Sequence, residues 1–168
     1  MQVTPIEGRT PLYEAVEMLD PASVKKIIEL GAEVNIHDRY GITPLHAAVA
    51  SHRFENMHPL IEAGADVNAR NIADSTPLHL ASAVSLDAVQ LLIEHGADVN
   101  AVDKQGRSPL HIAAEKSLDV VECLIKAGAD KGLRDRRGLT ASETARKNVG
   151  GNIQAGAIFK FLESGERN

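Results

Sequence analysis

Apolar positions along this chain come in short paired bursts with helical spacing. In Asp87–Glu94 the apolar residues Ala88, Leu91 and Leu92 fall at i, i+3 and i+4, the stripe of a helix packed on one side. Shorter bursts such as Leu45, Ala47 and Ala48 predict a helix with a small apolar face that neighbours can approach closely. Polar residues punctuate both. Thr43 and Ser108 suit an N-cap, and the proline behind each suits N1, where its missing N–H costs nothing. The glycine of each Gly-Ala-Asp or Gly-Ala-Glu ends the second helix in a left-handed position. Asp38-Arg39-Tyr40-Gly41 and Asp103-Lys104-Gln105-Gly106 supply tight turns before the cycle restarts.

The cycle has a fixed length. Thr-Pro-Leu or its variants begin at Thr10, Thr43, Thr76 and Ser108, with a worn fifth copy at Thr140, in steps of 33, 33, 32 and 32 residues. Gly31, Gly64, Gly96 and Gly128 open a second motif on the same beat. Two motifs in phase over four periods predict a solenoid of stacked units. A tetratricopeptide array has a similar period but lacks Thr-Pro-Leu-His and Gly-Ala-Asp-Val-Asn.

These residues resemble the ankyrin-repeat family from about Pro5 to Gly165. The resemblance implies an all-α ankyrin-repeat solenoid of five helix–loop–helix units, with β-turn fingers projecting at about right angles. It places one domain over residues 1–168, with repeats at about 5–37, 38–70, 71–102, 103–134 and 135–168. A repeat cannot bury its apolar face alone, so the end copies should act as caps. The first has Tyr13 in the usual His slot and charged Glu14, Glu17, Lys25 and Lys26. The last lacks the Pro and His and carries Ser142, Glu143, Arg146 and Lys147.

Several departures modify the regular picture. The third and fourth copies lack one residue between their helices, and Ser85 and Ser117, each before Leu-Asp, are predicted N-caps. Asp20 with Pro21 has that role in the first copy. Pro59 occupies a place where a core Leu is usual. It predicts a late helix start with Pro59 in the first turn, leaving Phe54, Asn56 and His58 in an irregular loop. In the fifth copy residues 148–156 make a longer loop, predicted to be flexible, before a final helix Ala157–Glu163.

Composition narrows the function classes. Aromatics are 3% of the chain and Trp is absent, so the core must be built from Ala, Leu, Ile and Val. A net charge of −5 gives no overall attraction to nucleic acid or to an anionic membrane. There is no signal-like apolar segment, no membrane-length apolar run and no Asn-x-Ser/Thr sequon, which points to an intracellular, cytoplasmic protein. The single Cys123 permits no intrachain disulfide and reads as a small helix hydrophobe. Three of seven histidines, His46, His79 and His111, share one slot of successive repeats. In the family that imidazole hydrogen-bonds turn backbone. Packed helices lie about 8–10 Å apart, too far for these three to share a zinc ion. His37, His52, His58 and His95 show no ligand spacing. No phosphate loop, nucleophile elbow or Cys–His arrangement occurs, so neither catalysis, a cofactor nor a metal is expected. Ile6-Glu7-Gly8-Arg9 matches a protease site used in engineered proteins, but Gly8 falls on the repeat's own turn glycine.

Members of the family mostly bind proteins through the finger tips and the inner-helix face. That implies an interaction module, a scaffold or adaptor, or alternatively an inhibitor or host-targeted effector, acting as a monomer. The finger positions least dictated by the fold are Arg39, Tyr40, Ile42, Ile72, Ser75, Lys104, Gln105, Arg107, Arg136 and Arg137. Their inner-helix counterparts include Met18, Ala50, Ala83, Val84 and Lys116. Arg39 with Tyr40 is the favoured anchor. Lys104, Arg107, Arg134, Arg136 and Arg137 make the C-terminal fingers basic, suited to an acidic segment of a partner. Asn35, Asn68 and Asn100 each follow an acidic residue and Val. They resemble the ankyrin asparagines hydroxylated by an asparaginyl hydroxylase in animal cells; hydrogen bonding to the adjoining turn would equally explain their recurrence.

Overall fold

The structure is a computed structural model that describes residues 9–148 and 154–164. Within them lie ten α-helices: α1 Pro11–Met18, α2 Pro21–Glu29, α3 Pro44–Ala50, α4 Met57–Glu62, α5 Pro77–Ala81, α6 Leu86–Glu94, α7 Pro109–Ala113, α8 Leu118–Lys126, α9 Ala141–Lys147 and α10 Ala155–Glu163. The described residues contain no strands. Odd-numbered helices pack on one another as an inner layer, even-numbered ones as an outer layer, and each odd helix packs on the even one after it.

The caps follow the chemistry of the repeat. Thr10 and Thr43 accept the backbone N–H of Tyr13 and His46, and a proline opens α1, α2, α3, α5 and α7. Asp20, Ser85 and Ser117 cap α2, α6 and α8 as predicted. Gly31, Gly64, Gly96 and Gly128 follow the outer helices with φ between 84° and 95°. Gly41 needs its freedom for a second reason: a Cβ there would lie 2.9 Å from Cα of Asn71 in the next finger. At the corresponding place in the third finger Asp74 adopts φ 57°, a conformation that Asp tolerates better than most residues.

The core is a continuous strip of Leu, Val and Ala, with Leu12, Leu45, Leu78 and Leu110 from the inner layer and Leu60, Leu92 and Leu124 from the outer one. Tyr13, Met57 and Ile158 complete it. At its C-terminal end Thr140 and Glu143 replace the Thr–His pair, with Glu143 Oε2 accepting the Thr140 N–H at 2.8 Å. The N-terminal end is less polar than a cap was expected to be. Glu14, Lys25 and Lys26 are exposed, but so are Met18 (75%) and Leu30 (76%).

Two expectations need correction. Residues 54–56 form a 3₁₀ turn rather than an irregular loop, and His58 belongs to α4. Pro59 does sit in the first turn of that helix. The order around it comes from Asn56, which is fully buried and donates through Nδ2 to the carbonyls of Val16 and Leu19, both at 2.9 Å. A contact with the preceding repeat leaves no local sequence pattern. The last helix begins at Ala155, two residues before the predicted start. Gly8, and residues 149–153 of the predicted flexible loop, lie outside the described residues.

Candidate functional site

Each finger is a turn closed by one side chain. Oδ1 of Asp38 accepts the N–H groups of Tyr40 and Ile42, and Asn71, Asp103 and Asp135 repeat the arrangement. Successive fingers then join through one backbone hydrogen bond per step: Ile72 N–H to Tyr40 C=O, Lys104 N–H to Ala73 C=O and Arg136 N–H to Gln105 C=O, all 2.8–2.9 Å.

The three histidines hold the fingers to the helices. His46 Nδ1 accepts the Thr43 N–H at 3.3 Å, while Nε2 lies 3.1 Å from the carbonyl of Ser75 in the next finger. His79 does the same between Thr76 and Arg107, and His111 between Ser108 and Leu139. With Nδ1 as acceptor, the proton belongs on Nε2, where it is donated to the carbonyl; a neutral imidazole supplies both roles. Burial, partly offset by the bond to the carbonyl, lowers the pKa of His46 and of His79 below the ordinary histidine value.

A pH dependence follows. The unfolded chain takes up protons below about pH 6.5 while folded His46 and His79 resist. Their contribution is complete above that pH and is lost as pH falls through it toward the folded values, by up to about 1.4 kcal/mol per pH unit for each histidine. Urea midpoints should therefore fall between about pH 7 and pH 5; a flat profile would contradict neutral, buried imidazoles. Asp135 acts in a lower window. Burial would raise its carboxyl, but the N–H groups of Leu139 and Arg137 and the Arg137 guanidinium outweigh this and lower it.

The recurrent asparagines form a second inter-repeat ladder, which reaches the segment after each following outer helix. Asn35 donates to Gly64 C=O at 3.0 Å and accepts the Asp66 N–H at 2.7 Å. Asn68 bridges to Gly96 and Asp98, and Asn100 to Gly128 and Asp130, in the same way. Both halves of each carboxamide are thus committed to the next repeat, although the residues are exposed.

The finger positions divide into tips and bases. Arg39, Tyr40 (42% exposed), Ile72 (57%), Lys104, Gln105, Arg136 and Arg137 project into solvent. Arg39 lies over the Tyr40 ring, 4.6 Å from its centroid. Ile42, Ser75 and Arg107 are half-buried bases: Ile42 packs on the core, and the carbonyls of Ser75 and Arg107 receive the histidines. Below the tips a cleft of about 250 Å³ runs along the inner helices, lined by Val49, Ala50, Leu80, Ala83, Val84 (43% exposed) and Arg107 among others. Glu115 is half-buried and Lys116 exposed on the same layer.

The basic fingers are partly neutralised from within. Arg107 makes a forked pair with Asp103, Nε at 3.0 Å and Nη2 at 2.8 Å, and Arg137 Nε reaches Asp135 at 2.8 Å. Arg134 pairs with Glu143 at 3.1 Å. Among the described residues Lys104 and Arg136 have no ion pair and remain fully available. The carboxylates of Asp103 and Asp135 are buried under their arginines, so the finger surface presents cations while most exposed acids lie elsewhere.

No group of three or more His, Cys, Asp or Glu side chains among the described residues is arranged to hold a metal ion. Cys123 lies half-buried on α8 against the core, where burial raises its thiol pKa, away from the reactive thiolate. No described helix is long and apolar enough to cross a membrane. A family model described as ankyrin repeats (3 copies) matches residues 1–71 and 69–135. No curated protein matches the chain.

Proposed function

This chain belongs to the ankyrin-repeat family, whose repeats are generally protein-interaction modules and typically non-enzymatic, and from that premise we propose that it recognises a protein partner through its finger tips and inner-helix cleft. The supporting observation is the division of labour within each finger. The bases are committed to the histidine and aspartate bonds of the fold, while Tyr40, Ile72, Lys104, Gln105 and Arg136 project above a cleft whose apolar lining includes Val49, Leu80 and Val84. Tyr40 and Ile72 sit on adjacent fingers joined by the Tyr40–Ile72 backbone bond, so they offer one anchor site at low entropic cost.

The partner meets an apolar anchor at the second and third fingers and free cations at the fourth and fifth. An acidic segment placed over Lys104 and Arg136 completes that match, with Arg107 and Arg137 as weaker contributors because each already neutralises a carboxylate. The protein acts as a monomeric scaffold or adaptor inside the cell; an inhibitor of the same surface chemistry is the other form of this reading.

Affinity capture followed by titration tests it. Tyr40→Ala/Ile72→Asp and Lys104→Glu/Arg136→Glu should each weaken a captured partner by about tenfold or more, with unchanged helical content. The second pair should also flatten the salt dependence. A partner indifferent to both pairs would remove the surface from consideration.

A further inference from the structure

The second helix pair differs from the others on the side away from the fingers. Its outer helix α4 has 6 residues, whereas α2, α6 and α8 each have 9. Pro59 confines the helix start: it has no N–H to give a preceding carbonyl, so it fits only within the first turn. The shortened helix meets α6 far less closely than α2 meets α4 or α6 meets α8. A cleft of about 350 Å³ opens between α4 and α6.

Half-buried Phe54 and Leu91 line the cleft with apolar surface above the fully buried Met57, and Glu55, Asp87 and Glu94 stand exposed around it. None of the three acids is in an ion pair among the described residues. Asp87, Leu91 and Glu94 are spaced i, i+4 and i+7 and so form one stripe of α6, its acids about 10 Å apart at 1.5 Å rise per residue. Asp87 lies in the first turn, where a helix favours an anion. Glu94 is the last residue, at the negative end of the helix dipole, and the last turn of α6 contains no basic residue. The corresponding place in α8 is occupied by Lys126. A cation delivered to Glu94 from outside would relieve that repulsion.

We propose that this cleft is a second docking site, taking a short basic segment of another protein. The segment sets one large apolar side chain between Phe54 and Leu91, with Lys or Arg on either side reaching the acids. Charge complementarity selects this occupant: the rim is anionic, the whole chain carries −5, and phosphate-bearing ligands are repelled. The site lies in the outer layer, so it leaves the finger surface free for a different partner.

The intact ¹⁵N-labelled chain is titrated with a short amphipathic peptide of Leu, Lys and Arg, with its Gln-for-basic twin, and with its Glu-for-basic twin. The expected result is saturable shifts of Glu55, His58, Ala88, Leu91 and Glu94 with the basic peptide alone. Glu55→Lys/Asp87→Lys/Glu94→Lys should weaken it by about tenfold or more, and the milder Glu94→Gln should weaken it measurably. Tyr40→Ala/Ile72→Asp should leave it unchanged, which separates this site from the finger reading. Equal binding of the Gln twin would mark a plain apolar cleft and overturn the proposal. So would shifts centred on the fingers, no shifts, or indifference to charge reversal in a variant whose helical content is intact.

Discussion

Asn56→Asp should lower the stability of the chain by about 3 kcal/mol or more at neutral pH, well beyond the loss expected from Asn56→Ala. Asn56 is fully buried, and its amide donates to two carbonyls at the C-terminal end of α1, while its own Oδ1 has no protein partner. An aspartate would direct a carboxylate at those same two carbonyls, with burial and dipole both opposing its charge. Both effects raise its folded pKa, so the penalty is present in full at neutral pH. It shrinks as pH falls through that raised value, where a protonated carboxyl can again donate. Urea unfolding at about pH 7 and pH 5, each referred to wild type at the same pH, separates this from the histidine effect. A deficit that does not shrink would mean that the side chain has turned away from the carbonyls.

His79→Ala should cost about 2–4 kcal/mol and broaden the unfolding transition. Removing the imidazole strands the Thr76 N–H and the Arg107 carbonyl, and opens space beside buried Leu78. Its position matters as much as the bonds. In a stacked array cooperativity comes from the interfaces between neighbours, and His79 spans the interface between the third and fourth units. Weakening that joint should let the N-terminal units melt apart from the C-terminal ones, seen as a lower m-value or a second transition. A single sharp transition at full m-value would count against the imidazole as the main tie.

The stacked helices were legible in the sequence because their signals are local. Thr43-Pro44, Asp20-Pro21 and Ser85-Leu86-Asp87 each specify a helix start within three residues, and Gly64 or Gly96 a stop. Pro59 likewise marked where the stack deviates. What local reasoning missed was the cause of order there: Asn56 acts on carbonyls about 40 residues away, an encounter that no periodicity encodes. The cleft between α4 and α6 was missed for the same reason, since it is a gap between two elements and belongs to neither. Among the surface residues, variability alone grouped Ile42, Ser75 and Arg107 with Tyr40 and Ile72. The structure separates them: Ser75 and Arg107 serve the preceding unit's histidine through a backbone carbonyl that any side chain would provide, and Ile42 packs its side chain on the core.

The histidine and asparagine ladders also bear on how such an array can change length. Asn35, Asn68 and Asn100 each reach the same two atoms of the following unit, and His46, His79 and His111 the same carbonyl. A gene that duplicated or excised one 32-residue block between Thr76 and Ser108 would therefore join identical donors to identical acceptors, and strand no polar group at the seam. The first junction lacks that interchangeability. There Asn56 is matched to the helix end at Val16 and Leu19, so the first two units would have to be inherited together.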